Sequence, residues 1–313
     1  MTDHADLPPG RAQEVEDGLY AFVQPDGTWW INNTGFLVGE AGVVAIDSCA
    51  TVARTRAFQA AIAGVTDVPV RTLVNTHHHG DHTHGNFLFE PATIVAHERT
   101  RDEVIAEGPP ATGRVAASGA WGPIDWGDVE LAPPSLTFTD SLTVFVDDLP
   151  CRVEHVGTPA HTTNDSVVWI PERSVLYAGD LLFNGGTPFL LAGSIAGALE
   201  VVAGLHRYGA RTVVPGHGPV AGPELIDRVL GYLRFVAGLA ASARAAGLSQ
   251  LDAARQADLG EFAELSDSER LVGNLHRAYA ELDGAERGAP IDFFAALRDM
   301  IAYNGGKPLL TRV

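Results

Sequence analysis

The sequence predicts an α/β fold that closes in a helical C-terminal part. Short apolar runs divided by Gly- and Pro-marked turns occupy most of the chain before Pro223, as strands do. Stretches with apolar residues at helical spacing interrupt them. From Pro223 the spacing is helical almost to the end. A chain of 313 residues can bury a large core without disulfides. Residues 1–313 are therefore expected to form one domain, with 223–313 as its helical C-terminal part.

The runs LYAFVQP, NTGFLVG and GVVAIDS read as consecutive strands. TVARTRAFQAAIAG follows as a helix, capped by Thr51 and closed by Gly64. RTLVNT is a buried strand and ATIVAHE another. From about 97 to 134 the pattern lapses: GPPATGR, ASGAWGPIDWG and LAPPS are rich in Gly, Pro and Trp. A long irregular excursion of the lid or binding-loop kind is expected there. LTVFV, CRVEHVG, SVVWI and SVLYAG are strands, 194–208 a helix, and TVVPGHG a short strand running into a loop. ELIDRVLGYLRFVAGLAASARA, SQLDAARQ, ERLVGNLHRAYAEL and PIDFFAALRDMIAY carry 3.6-residue spacing.

Composition excludes several classes of function. The formal net charge is -18, which repels nucleic-acid phosphates and anionic membrane surfaces. No run approaches the roughly 20 apolar residues of a membrane span. The N-terminal stretch MTDHADLPPGRAQEVEDG is acidic and lacks the apolar segment of a leader, so the cytoplasm is the expected compartment. Cys49 and Cys151 do not make a disulfide framework and are expected as reduced thiols in strands.

The most informative stretch is THHHGDH, residues 76–82. His77 and His79 are two apart and project to one side of an extended segment. Gly80 can turn the chain and aim Asp81 and His82 at a neighbouring point. One loop could thus serve two adjacent metals; imidazole and carboxylate suit zinc, and also iron or manganese. His78 falls between these positions and should point elsewhere; His84 lies beyond the pattern. Further ligands are offered by His161 after CRVEHVG, Asp180 in VLYAGDLLF and His217 in VVPGHGPV. Each follows a β-type run, and an aspartate in an apolar strand needs a partner.

This set, His77-x-His79-x-Asp81-His82 followed by His161, Asp180 and His217, resembles the metallo-β-lactamase superfamily over nearly the whole chain. The resemblance implies a four-layer αβ/βα sandwich with a metal site at one edge of two packed sheets. It implies that His77, His79 and His161 hold one metal, that Asp81, His82 and His217 hold the second, and that Asp180 bridges them. Two zinc ions are the expected cofactors, with Asp81 and Asp180 as catalytic carboxylates. Asp47, ending GVVAID, matches the strand-end aspartate that supports ligand histidines.

Two close cations polarise a carbonyl and acidify a water, or stabilise an enolate; the ligand set leaves the reaction open. Outside the ligands, DWGDVELAPP, LLFNGGTPFLLAGSIAG, GPVAGPE, AARQADLG, ERLVGNLHRAYAEL and YNGGKP resemble a narrower group. It comprises the cyclases of bacterial aromatic (type II) polyketide pathways, of the actinorhodin second-ring type. That resemblance implies closure of a second ring by intramolecular aldol condensation and dehydration, with hydrolysis of the thioester to an acyl carrier protein. The partner would be a free or carrier-bound aromatic polyketide intermediate. A flat substrate needs an aromatic cavity, for which Trp29, Trp30, Trp121, Trp126, Phe183, Phe189 and Tyr303 are candidates. Arg99, Arg101 and Arg114 could meet an acidic carrier protein, and the helical tail could mediate a homodimer. The alternative is a general metallo-hydrolase of small lactones, thioesters or β-lactams. An iron redox enzyme and a non-enzymatic metal scaffold are the remaining readings.

Overall fold

A computed structural model describes residue 7 and residues 9–313; part of the acidic N-terminal stretch read above lies outside them. The first sheet holds β1 (Arg11–Glu16), β2 (Leu19–Val23), β3 (Thr34–Val38), β4 (Val43–Ile46), β5 (Val70–Val74), β6 (Thr93–His97) and β7 (Leu136–Phe138) in that spatial order. Its first four strands are antiparallel and the rest run parallel. The second sheet holds β8 (Ser141–Val146), β9 (Leu149–His155), β10 (Ser166–Ile170), β11 (Val175–Phe183) and β12 (Thr212–His217), ordered β12-β11-β10-β9-β8.

Period-two alternation decides what each face buries. In β3 and β4, Leu37, Val44 and Ile46 face the second sheet and pack with Val153, Val168, Ile170 and Tyr177. Phe36, Val43 and Ala45 face outward, where α1 (Val52–Ala63) covers them with Phe58 and Ile62. The second sheet's outer face packs Val167, Leu176 and Ala178 against α5 (Ile195–Gly204), α6 (Glu224–Ala245), α8 (Arg270–Leu282) and α9 (Phe293–Tyr303). Helix, sheet, sheet and helix make the four expected layers, with the C-terminal helices joined to the last one. α7 (Gln250–Gln256) contributes Ala253 and Ala254 to the same cluster.

Several elements depart from the sequence reading. β1 was not expected: RAQEVE is a polar edge strand with little to bury. The 97–134 excursion is only partly irregular. It opens with α3 (Glu98–Glu107), which buries just Thr100 and Val104, four residues apart, too thin a stripe to register as periodicity. α4 (Arg114–Ser118) follows and buries nothing fully. Cys49 lies just past β4 rather than in a strand; both thiols are free and buried, and burial pushes each up to about 12. Among the described residues, no helix is long and apolar enough to cross a membrane.

Candidate metal centre

The site forms where strands from both sheets end side by side. β5 runs into the histidine loop, whose α2 (Gly80–Thr83) carries Asp81 and His82. His161 comes from the β9–β10 loop and His217 ends β12. Asp180 sits inside β11, not at its end as the sequence suggested; the β11–β12 register slips beside it at Gly179. Gly216 on β12 lies against it, and a Cβ there would strike Asp180 Oδ1. Only a bare backbone lets the carboxylate lie against the neighbouring strand.

All seven side chains converge. His77, His79, His161 and Asp180 each place a ligand-type atom within 4.8 Å of the others, and Asp81, His82 and His217 form a second such group. Asp180 reaches both: Oδ2 is 3.4 Å from His161 Nε2 and 3.4 Å from His217 Nε2, and Oδ1 is 3.1 Å from His82 Nε2. Asp81 Oδ2 lies 3.2 Å from His217 Nε2, and His79 Nδ1 lies 2.8 Å from His161 Nε2.

The outer nitrogens are held in turn. Asp47, in a left-handed backbone conformation (φ 59°), accepts from Thr76 N and Thr76 Oγ1 at 2.7 Å and from His82 Nδ1 at 2.9 Å. His161 Nδ1 is bound by the Phe189 carbonyl and His217 Nδ1 by the Gly27 carbonyl. These acceptors put the protons on the outer nitrogens and leave Nε2 lone pairs facing inward. His77 Nε2, His82 Nε2 and Asp180 Oδ1 are buried without a hydrogen-bond partner. Buried polar atoms without partners are costly, and three of them aimed at one another fit a divalent cation.

Electrostatics divides the histidines of the metal-free site. Burial drives His77 and His79 well below the ordinary histidine range and also lowers His161, keeping them neutral as ligation requires. Burial opposes a charge on His82 and His217, yet Asp180 and neighbouring carboxylates override it; His82 rises well above its usual value and His217 rises to about 9. Against the opposite pull of burial, the same histidines hold Asp180 well below the carboxylate range.

His78 turns away, with its ring on Asn164 and Nε2 3.5 Å from Glu107 Oε1. His84 binds the Ala50 carbonyl. A cavity opens on the centre, lined by His79, Asp81, His161, Asp180 and His217. Trp29, Trp30, Trp121, Phe183 and Phe189 line it as well. Trp126 and Tyr303 do not: Trp126 packs edge-on behind Trp30 at 5.0 Å, and Tyr303 lies half-buried against the helical core.

Arg270 and Phe293 line the cavity without having been singled out in the sequence, because helical spacing marks a buried face but not which buried residue meets a cavity. Of the three candidate arginines, Arg114 lines it beside Glu107; Arg99 and Arg101 bond to the Thr163 and Pro134 carbonyls.

The family model for the metallo-beta-lactamase superfamily matches residues 27–217. Among curated relatives, a metallo-beta-lactamase type 2 of Bacteroides fragilis is 36% identical over 31% of this chain and 41% of its own. A linear primary-alkylsulfatase of Pseudomonas sp. is 27% identical over 62% of this chain and 43% of its own. A hydroxyacylglutathione hydrolase of Rhodospirillum rubrum is 29% identical over 45% of each chain. The chain thus spans less than half the length of these relatives. Among solved structures, a metallo-beta-lactamase from Pontibacter korlensis superposes with a TM-score of 0.57 at 21% identity, covering 72% of this chain and 99% of its own. The DIM-1 metallo-beta-lactamase gives 0.58 at 18% identity, covering 73% and 99%. At such identities these two establish the shared fold.

Proposed function

This chain belongs to the metallo-beta-lactamase superfamily, and we propose that within it the protein is a cyclase of aromatic polyketide biosynthesis that also cleaves a thioester. The observation that carries this reading is the cavity: five aromatic side chains expected for substrate contact wall the same space as five of the seven candidate ligands. Flat, partly aromatic substrates bind to such walls by stacking and area burial. The similarity of the segments outside the ligand pattern supports the same reading.

His77, His79 and His161 would hold one cation, Asp81, His82 and His217 the other, with Asp180 shared. Two such ions, zinc by preference, would supply Lewis acidity to a carbonyl and to an acidic C–H or water beside it. The protein's own groups do the rest. Asp47, Phe189 O and Gly27 O fix the imidazole orientations. Trp29 meets Trp121 and Phe189 edge to face at 5.4 and 5.0 Å, an apolar wall that would keep water off the reacting carbons. Asp81 and Asp180, which both line the cavity, would be the carboxylates nearest the substrate while completing the two cation sites. The substrate would arrive free or on an acyl carrier protein, past Arg114, whose half-exposed side chain lines the cavity.

Incubating the metal-loaded protein with a monocyclic poly-β-ketone thioester tests the proposal. Product mass should show loss of water with a second ring, and free carrier thiol should appear. Efficient turnover of a simple lactone, glutathione thioester or β-lactam, with no ring closure, would overturn it in favour of a general hydrolase.

A further inference from the structure

The cavity holds a carboxylate that the metal centre does not use. Asp81, Glu107 and Asp180 are its acidic lining residues, and of these only Asp81 and Asp180 belong to the two ligand groups. Glu107 is the last residue of α3. It follows the buried Thr100 and Val104 at helical spacing and so shares the inward face of that helix, whereas Ile105 is exposed on another. Gly108, at φ 70°, then turns the chain away.

Among the described residues, Glu107 is short of hydrogen-bond donors. Its Oε1 stands 3.5 Å from His78 Nε2 and 3.9 Å from Arg114 Nη1. Both contacts are longer than the about 2.7–3.2 Å of a protein hydrogen bond, while an ionised carboxylate offers about four lone-pair sites. The side chain keeps 18% of its surface open, and neither oxygen is among the sealed atoms without a partner. Burial pushes the carboxyl up, but His78 and Arg114 override it and hold it below the ordinary glutamate range. These two neighbours thus keep the charge and leave the acceptor sites free.

We infer that Glu107 is a specificity-determining residue that accepts a hydrogen bond from an O–H group on the edge of a flat substrate. The inference rests on the cavity being the substrate site, as proposed above. It adds what that substrate must carry: an enolic or phenolic hydroxyl apart from the carbonyl offered to the cations. The aromatic walls take any flat ring, whereas a charged acceptor among them disfavours a ring that brings no donor. A plain ion pair with Arg114 explains less, because a 3.9 Å contact to a half-exposed guanidinium is worth little.

Two rigid three-ring probes test this on the metal-loaded chain by fluorescence titration. Carbazole donates from its N–H as a phenol does from its O–H, but has no free lone pair to offer a cation. Fluorene has a CH2 group at the same place. The unsubstituted chain should bind carbazole about tenfold tighter than fluorene, as a hydrogen bond to a charged group gives. Glu107→Gln keeps the shape without the charge and should narrow the gap to about threefold; Glu107→Leu should close it. Both variants should keep their metal by elemental analysis.

Equal affinities in the unsubstituted chain, or a gap that survives Glu107→Leu, would overturn the inference. So would a gap that closes only with loss of metal, since the effect would then run through the histidine loop. NMR of the unsubstituted chain covers variants that fail to fold: the carbazole N–H should show a nuclear Overhauser contact to the Glu107 methylene protons, and its absence overturns the assignment. Binding is read without turnover. Failure of the probe preference with ring closure intact therefore sinks only the role of Glu107, whereas the preference without ring closure sinks only the cyclase reading.

Discussion

Replacing Asp47 separates its structural role from its role at the metal centre. Its carboxylate is buried and serves Thr76 N, Thr76 Oγ1 and His82 Nδ1. Asp47→Ala leaves three buried donors without an acceptor, at about 1–3 kcal/mol each when no water replaces it. With partial rescue by water we expect a loss of about 3–5 kcal/mol, the usual result of removing one partner from a buried charged network. Asp47→Asn acts differently. Its Oδ1 still accepts from Thr76 N, and the Thr76 hydroxyl can turn to accept from Nδ2, so stability should fall by no more than about 1 kcal/mol. Nδ2, however, is a donor facing His82 Nδ1. His82 must then accept there and carry its proton on Nε2, the nitrogen 3.1 Å from Asp180 Oδ1. That tautomer cannot ligate, and zinc affinity should drop roughly 10–100-fold. Urea unfolding of the metal-free variants measures the first quantity and chelator competition the second. Asp47→Asn with wild-type zinc affinity would refute the claim that this carboxylate sets the His82 tautomer.

Three further outcomes are expected. His79→Ala and Asp180→Ala should each lose bound metal and product formation, whereas His78→Ala, whose ring faces Asn164 and Glu107, should retain metal by elemental analysis. Gly216→Ala drives a Cβ onto Asp180 Oδ1 and should cost about 1–3 kcal/mol by denaturant titration, together with weaker metal binding; an unaffected metal content would contradict the close approach. The metal-free protein should lose stability as pH rises from about 6.5 to about 9 in thermal melts. His217 is raised to about 9 in the fold, so its contribution is complete below the unfolded value and vanishes as it deprotonates. Below about 6.5 the buried neutral His77, His79 and His161 reverse the slope, because the unfolded chain takes up their protons first.

Much of this protein was legible along the chain because its signals are local. Strands such as GVVAI and RTLV are short apolar runs with turn residues at their ends, and α1 begins and closes at Thr51 and Gly64. The candidate ligands stood out because imidazole and carboxylate at strand ends are expensive without a partner. Weaker signals misled: α3 buries too few residues to show a period, and β1 too little apolar surface to look like a strand.

Tertiary structure alone decided which residues surround the site. Trp121 and Trp126 lie five apart in one Gly-rich stretch, yet one lines the cavity and the other packs behind Trp30. Arg270 and Phe293 arrive from helices far along the chain, and Asp180 reaches its place through a slipped register beside Gly216. Periodicity tells a residue to leave water but not which neighbour it will find. That choice belongs to the packing of whole layers, which is settled only when every element has been placed.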